Sequence, residues 1–418
     1  MNKEILLQSS FFRSVGMIAV LFFFDIVVVT SAFAENLTSQ VIPRSYFGMH
    51  FIDRNAARPD NVGALGKGTL VIWPYIERSR GRYDWSNLDA WVARAEALGV
   101  DFDYSFGPFP EWAVGDPSKC IASAIPNVRR CGAMPRDLAD WDRYVTAVAS
   151  RYKGRIAVYE IWNEPEHDTA ISPREMALLA RRAVNIIRSI DPAAKIAGPS
   201  LNGRHARWAS SYFGAGGPRD VDVVALHTYT GTQTNYPETI DRRFTGPGAI
   251  FAPLIPLLSH SGLAGKPLWS TEGAWSDRPN SLSDPEDQAA FTARALLIHW
   301  ANGFSRYYWY AYDHTTIGRL LGTRAGVAYR AVRSWMEGAR MTELCAPTVL
   351  DGDVWSCKLE RPGGERSVIM WSLSGEKHVK VSLDLRQSVD IDGIARFIDN
   401  GVATIDKVPV RLKRVQAR

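Results

Sequence analysis

The sequence predicts an α/β fold: a closed (β/α)8 TIM barrel over residues 35–341, followed by a C-terminal antiparallel β-sandwich domain over residues 342–418. Three observations lead there. From Tyr46 the chain alternates short apolar runs with longer helix-compatible stretches, the pattern of βα units that build a parallel sheet. Eight such runs occur, the number a closed barrel needs. After Met341 the pattern changes to short alternating strands separated by Gly-containing turns. A doubly wound open sheet uses similar units, but no Gly-rich phosphate loop follows the first run.

In order, the runs are Tyr46–Phe51, Leu70–Trp73, Phe102–Phe106, Ile156–Ile161, Lys195–Gly198, Val221–Leu226, Pro267–Glu272 and Tyr307–Tyr310. Helices are expected over Asn87–Leu98, Leu138–Tyr152, Pro173–Ile190, Pro285–Asn302 and Gly326–Met336. Pro173 and Pro285 suit a first helical turn, where the missing N–H is not needed. The C-terminal strands are expected at Val354–Leu359, Ser367–Leu373, Val379–Leu383 and Val408–Leu412. Polar and aromatic residues gather at the C-terminal ends of most barrel runs, the face where barrels keep their sites.

The 418 residues are 46% hydrophobic and 22% charged, enough for one large domain and a small one. The net charge of +5 mildly favours acidic partners such as uronic-acid polysaccharides or membrane surfaces, but a solubilising surface explains it better. No basic run interleaved with aromatics points to nucleic acid. Residues 1–34 read as a signal peptide: Lys3 and Arg13 precede an apolar run, Val15–Phe24, and Ala32-Phe33-Ala34 fits a cleavage site. Asp25 interrupts the apolar region, and an uncleaved anchor over Val15–Val29 is the other reading. No later segment is long and apolar enough to span a bilayer, so an exported protein, periplasmic or extracellular, is expected. Four cysteines behind an export signal favour disulfides. Of the three formal pairings, Cys120–Cys131 with Cys345–Cys357 is expected, because each pair brackets a short loop or hairpin. No Cys-x-x-Cys or His-x-x-x-His spacing suggests a metal.

The chemistry centres on Tyr159-Glu160-Ile161-Trp162-Asn163-Glu164-Pro165. Pro165 cannot donate to a sheet ladder and ends the strand, leaving Glu164 where the chain emerges. A carboxyl group there suits general acid work on a glycosidic bond, which needs a second carboxylate facing it. A second apolar run, Pro267-Leu268-Trp269-Ser270-Thr271-Glu272, also ends in Glu. A salt-bridged strand-end residue is the lesser reading of either Glu. Glu160 shares the face of Glu164 but sits deeper, whereas Glu166 and Asp168 read as rim charges.

Trp162-Asn163-Glu164-Pro165, His227-x-Tyr229 and Thr271-Glu272-Gly273 together resemble the clan A retaining glycoside hydrolases. Within the clan the chain looks most like family 39 and related endoglycosidases that cut bacterial exopolysaccharides. The resemblance covers roughly residues 46–340 and implies a mechanism. Glu164 would be the general acid and then base, with its pKa held up, and Glu272 the ionised nucleophile. It also implies that Asn163 bonds the sugar 2-hydroxyl, that Tyr229 orients Glu272, and that Trp309 forms the floor of the cleaved-sugar subsite. Trp112, Trp162, Trp275 and Tyr310 are candidate sugar platforms. His227 and His50 either line the cleft or serve the core. Members of these families commonly carry an Arg near the second strand, and Gly66-Lys67-Gly68-Thr69-Leu70 has none.

The expectation is therefore a secreted, retaining β-glycoside hydrolase acting on an exopolysaccharide or hemicellulose-like glycan, endo rather than exo. It would work as a monomer on an oligo- or polysaccharide, with no cofactor, since two carboxylates suffice. A non-catalytic glycan-binding barrel and an exo-acting, β-xylosidase-like enzyme are the alternatives.

Overall fold

The computed structural model describes residues 39–414 apart from 57–61, 168–169, 204, 231–235, 242, 244–248, 250 and 276–281. The leader, including its expected cleavage site, and Asp168 lie outside the described residues.

Eight parallel strands close the barrel: β1 (Phe47–Met49), β2 (Ala64–Leu65), β3 (Asp101–Ser105), β4 (Val158–Glu160), β5 (Lys195–Asn202), β6 (Val223–His227), β7 (Leu268–Gly273) and β8 (Phe304–Trp309). Closure is made by β1 on β8, with Gly48 opposite Tyr308 and Met49 opposite Trp309. Helices on the outside include α1 (Trp73–Ile76), α2 (Ser86–Leu98), α3 (Leu138–Arg151), α4 (Pro173–Ile190), α5 (Ala206–Gly214), α6 (Phe251–His260), α7 (Pro285–Ala301) and α8 (Arg324–Met336). Strand alternation divides the core. Ala64, Val158, Ala197, Val223, Ala225, Trp269 and Tyr308 fill the barrel interior, where converging strands leave room mainly for small side chains. Their neighbours, such as Tyr159, Tyr307 and Trp309, point outward into the layer packed by the helices.

The second strand differs from the expectation. Leu70–Trp73 is not a strand: Leu70 is left-handed at φ 58°, and Ile72 caps α1, with Pro74 in its first turn. The barrel instead uses Ala64–Leu65, a two-residue strand too short to read as an apolar run. The other seven strands and the five expected helices fall within a few residues of their predicted places.

From Arg340 onward the chain forms a six-stranded antiparallel sheet in the order Arg340–Pro347, Val354–Glu360, Arg366–Ser372, Val410–Lys413, Gln387–Val389 and Ala395–Phe397. A two-stranded ribbon, Lys377–Lys380 with Val402–Ile405, covers one face of it and buries Val354, Met370, Ala403, Ile405 and Leu412 between the layers. On the opposite face Trp355, Cys357, Leu359, Ile369 and Trp371 join the barrel's core. The Trp371 indole donates to Glu238 across that junction at 2.8 Å. Cys345 and Cys357 are joined as a disulfide within this sheet.

After β3 the chain makes a second insertion on the barrel's C-terminal face. Phe109–Pro110, Cys120–Ala122 and Arg129–Cys131 form a small sheet, and Cys120–Cys131 is a disulfide between paired positions of its hairpin.

Candidate active site

Beyond Glu160 the backbone leaves the ladder through two left-handed residues, Trp162 (φ 74°) and Glu164 (φ 47°). Left-handed geometry is costly for residues with a Cβ and persists only where the surroundings hold it. Here Ser105 Oγ donates to Trp162 O at 3.1 Å, and the Glu164 N–H donates to Ser200 O at 2.9 Å. The Trp162 ring packs against Phe109 and Trp141, and Gly107 makes room for it, since a Cβ there would lie 2.7 Å from the ring. The turn thus aims Glu164 across the barrel mouth.

Glu272 arrives from β7, opposite His227 of β6. One oxygen from each of Glu164 and Glu272 and a ring nitrogen of His227 lie within 4.8 Å of one another. His227 Nδ1 stands 2.9 Å from Glu164 Oε1 and 3.8 Å from Glu272 Oε2. Tyr229 donates to Glu272 Oε1 at 2.7 Å. Exposure grades the carboxyl side chains, Glu160 at 0%, Glu272 at 12% and Glu164 at 24%, so Glu164 is the most open to a ligand.

Lys67 brings an ammonium group into the site. Its ammonium lies 3.2 Å from Glu160 Oε2 and 3.3 Å from Glu272 Oε2, and it donates to Asn163 Oδ1. Gly66 lets the end of β2 pass this close, because a Cβ there would lie 2.4 Å from the His50 ring. Sequence reasoning missed Lys67: with the second strand placed at Leu70–Trp73, Gly66-Lys67-Gly68 fell in the preceding loop. Its signal was a lone cation flanked by two glycines, in the stretch where an Arg was sought.

The electrostatics follow from these contacts. Burial opposes ionisation of Glu272, but the His227 and Lys67 charges, His50 and the Tyr229 hydrogen bond outweigh it and hold the carboxyl at about 2. Burial also opposes ionisation of Glu160, and Lys67, His227 and Thr271 pull it well below the ordinary range. For His227, burial and Lys67 oppose protonation, but Glu272, Glu160 and Glu164 push the ring up to about 9. Asp103, beneath Glu160, is pushed well up by burial and by the Glu160 charge.

Glu164, His227 and Glu272 have the spacing of a cation site, and the Lys67 ammonium lies 3.3 Å from Glu272 Oε2, a positive charge that opposes a second cation there. Glu166, His167 and His205 form a second such group.

The structure brings together Glu164, Glu272, Asn163, His227 and Tyr229. His50 backs them, its Nε2 donating to Thr271 O at 2.8 Å, and Tyr310 stands half-buried over His50. The aromatic expectations need correction. Trp309 is 0% exposed and donates to Gly318 O, because alternation along β8 turns it outward and leaves Tyr308 and Tyr310 on the inner side. Trp275, 3% exposed, packs edge-on against Trp309 and Phe291. Trp162 is 1% exposed, its ring covered by Phe109 and Trp141. Trp112, half-buried, packs on Trp73 and donates to Glu77 O. Of the proposed platforms only Tyr310 faces the cluster, where burial and the Glu272 charge push its hydroxyl up to about 12. Glu166 is no rim charge: its side chain is 1% exposed and accepts from Asn202 N at 2.8 Å.

Residues 128–309 match the family model described as cellulase, glycosyl hydrolase family 5. A β-xylosidase of Geobacillus stearothermophilus is 26% identical over 160 residues, covering 35% of this chain and 31% of that protein, so the match spans about a third of the relative. Among solved structures, a family 39 glycoside hydrolase from Bacteroides cellulosilyticus is similar with a TM-score of 0.66 and 18% identity, over 90% of this chain and 82% of that one. A family 39 β-xylosidase from Caulobacter crescentus gives 0.60 and 16% over 90% and 98%. A family 44 xyloglucanase from Paenibacillus polymyxa gives 0.57 and 14% over the same shares, 90% and 98%. The matched family model and the matched relative are glycoside hydrolases, and the fold of this chain is similar to that of family 39.

Proposed function

We propose that the chain, as a glycoside hydrolase of clan A, cleaves a β-linked polysaccharide by double displacement, with Glu164 as acid/base and Glu272 as nucleophile. The observation that carries this reading is the closeness of the two carboxyl groups, whose oxygens approach within 4.8 Å on facing strand ends. Direct attack on the anomeric carbon requires about 5–5.5 Å between the carboxyl groups, against about 6.5–9.5 Å when a water must fit between them. Glu272, held ionised by His227, Lys67 and Tyr229, is suited to attack. Glu164, the more open of the pair, protonates the departing oxygen and then takes the proton of the water that hydrolyses the glycosyl-enzyme. His227, bonded to Glu164, is placed to hold that carboxyl in line through both steps.

Asn163 lies between Lys67 and the cleft and is assigned to the 2-hydroxyl of the sugar bound over Glu272, a contact that strengthens in the transition state. Tyr310 is assigned to the floor of that subsite, in place of Trp309. A cleft of about 380 Å³ opens beside Glu164 and gives room to a sugar of the polymer. Two disulfides support export to an oxidising compartment. Among the described residues no helix is long and apolar enough to cross a membrane.

The test is a time course on β-glucans, xylans and bacterial exopolysaccharides, with the anomer of the first product read by NMR. Wild type should release oligosaccharides with retained configuration. Glu164→Gln and Glu272→Gln should each lose at least about a thousandfold in kcat, as removal of a nucleophile or its proton donor does. An inverted first product, or a Glu272→Gln variant of full activity, would refute the assignment.

A further inference from the structure

We propose that the cleft on the leaving-group side of Glu164 is a subsite for a carboxylate-bearing sugar, so that the polymer cleaved is an acidic polysaccharide. This deepens the proposed function and rests on it. The cleft is lined by Glu164 and Asn163 on one side and by Lys119, Ile121 and Arg130 of the disulfide-tied hairpin on the other. Glu164 lines it and Glu272 does not, so the cleft is assigned to the part of the substrate that leaves with the protonated oxygen.

The hairpin's register explains what it presents. Ile121 pairs with Arg130, and the flanking pairs, Cys120 with Cys131 and Ala122 with Arg129, face the other way. The cysteines are buried, and Arg129 is consumed by Glu111 and by the carbonyl of Cys120. The exposed acid next to Lys119, Asp116, is bonded to the backbone and hydroxyl of Ser118. Lys119 and Arg130 are exposed, line the cleft, and form no ion pair among the described residues. Between them Ile121 is 56% exposed, an aliphatic surface suited to the C–H face of a pyranose. Two exposed cations around an open apolar residue, on an element tied covalently in place, suit a ring that carries a negative charge.

The experiment compares β-linked uronate-containing polysaccharides, glucuronoxylan among them, in native form and after reduction of their carboxyl groups to alcohols. For polymers that are cut, kcat/KM should favour the native form by about tenfold, the size expected from two solvent-exposed charge contacts, and the preference should weaken with salt. Lys119→Gln with Arg130→Gln should bring the ratio close to one, and Arg130→Glu should carry it below one. Equal rates on native and reduced polymers, or a preference that survives the double variant, would overturn the inference and leave the proposed function standing. Retained binding with no hydrolysis of any polymer or aryl glycoside would overturn the proposed function instead. Affinity electrophoresis of wild type and double variant on the two polymer forms would then decide the subsite: selective retardation by the native form, lost in the variant, keeps it, and equal retardation removes it.

Discussion

Lys67 is the residue on which the charge balance of the site turns. Its ammonium is shared by Glu160, which has no exposure, and Glu272. Lys67→Met strands a buried carboxylate, and cutting one partner from such a pair costs about 3–5 kcal/mol. The variant should therefore melt at a lower temperature and lose about a hundredfold in kcat, the cost of removing one preorganised charge contact. A merely structural role would leave the pH profile alone. Removing the cation that favours ionised Glu272 should instead raise the acidic limb of kcat/KM, and Lys67→Arg should restore part of it.

His227 and Glu272 set a pH window for stability. The folded protein holds the His227 proton more tightly than an ordinary His, at about 9 against 6.5, so this contribution is full below 6.5 and is lost as pH rises through 9. Glu272 holds its proton more weakly, at about 2 against 4.5, so its contribution is full above 4.5 and is lost as pH falls towards 2. Both are complete only between about 4.5 and 6.5. Thermal denaturation followed across pH should show its maximum there, and His227→Gln should flatten the alkaline side. A His227 resonance titrating near the ordinary His value in NMR would contradict this.

At the scale of elements, helices were the most legible because their ends carry local chemistry. Ser172-Pro173-Arg174-Glu175 forms a capping box at α4: Glu175 N donates to Ser172 Oγ and Glu175 Oε2 accepts from Ser172 N. Ser172→Ala should cost about 1 kcal/mol in urea denaturation, with activity unchanged. Strands with an apolar run were legible for the same reason of local pattern. The two-residue β2 carries no such pattern, since pairing with β1 and β3 defines it, and those partners are distant in sequence. The Cys120–Cys131 hairpin was legible as a pairing but not as a wall of the cleft, because a cysteine count says nothing about which face a hairpin presents.

At the scale of the whole molecule, the C-terminal sheet packs against the barrel. Trp371 is fully buried where its indole meets Glu238, which also lies 3.2 Å from the Arg294 guanidinium. Trp371→Ala should cost about 3–5 kcal/mol, since it opens a cavity and leaves Glu238 with one partner fewer. A single cooperative melting transition lowered by this change would mean that barrel and sheet unfold together. Two transitions, with the barrel's unmoved, would mean that they are independent.

By itself the sequence determined the alternating elements, the barrel class, the paired cysteines and the strand-end positions of Glu164 and Glu272, because periodicity and strand-end chemistry are local properties. Tertiary structure decided which aromatics face the cleft. Trp309 and Tyr310 are adjacent in sequence and equally aromatic, and only the direction of the pleat inside a closed barrel turns one into the core and the other towards the carboxyl groups. It also decided that Lys67 brings its charge into the site, because an ammonium between Glu160 and Glu272 exists only once strands β2, β4 and β7 meet around one axis.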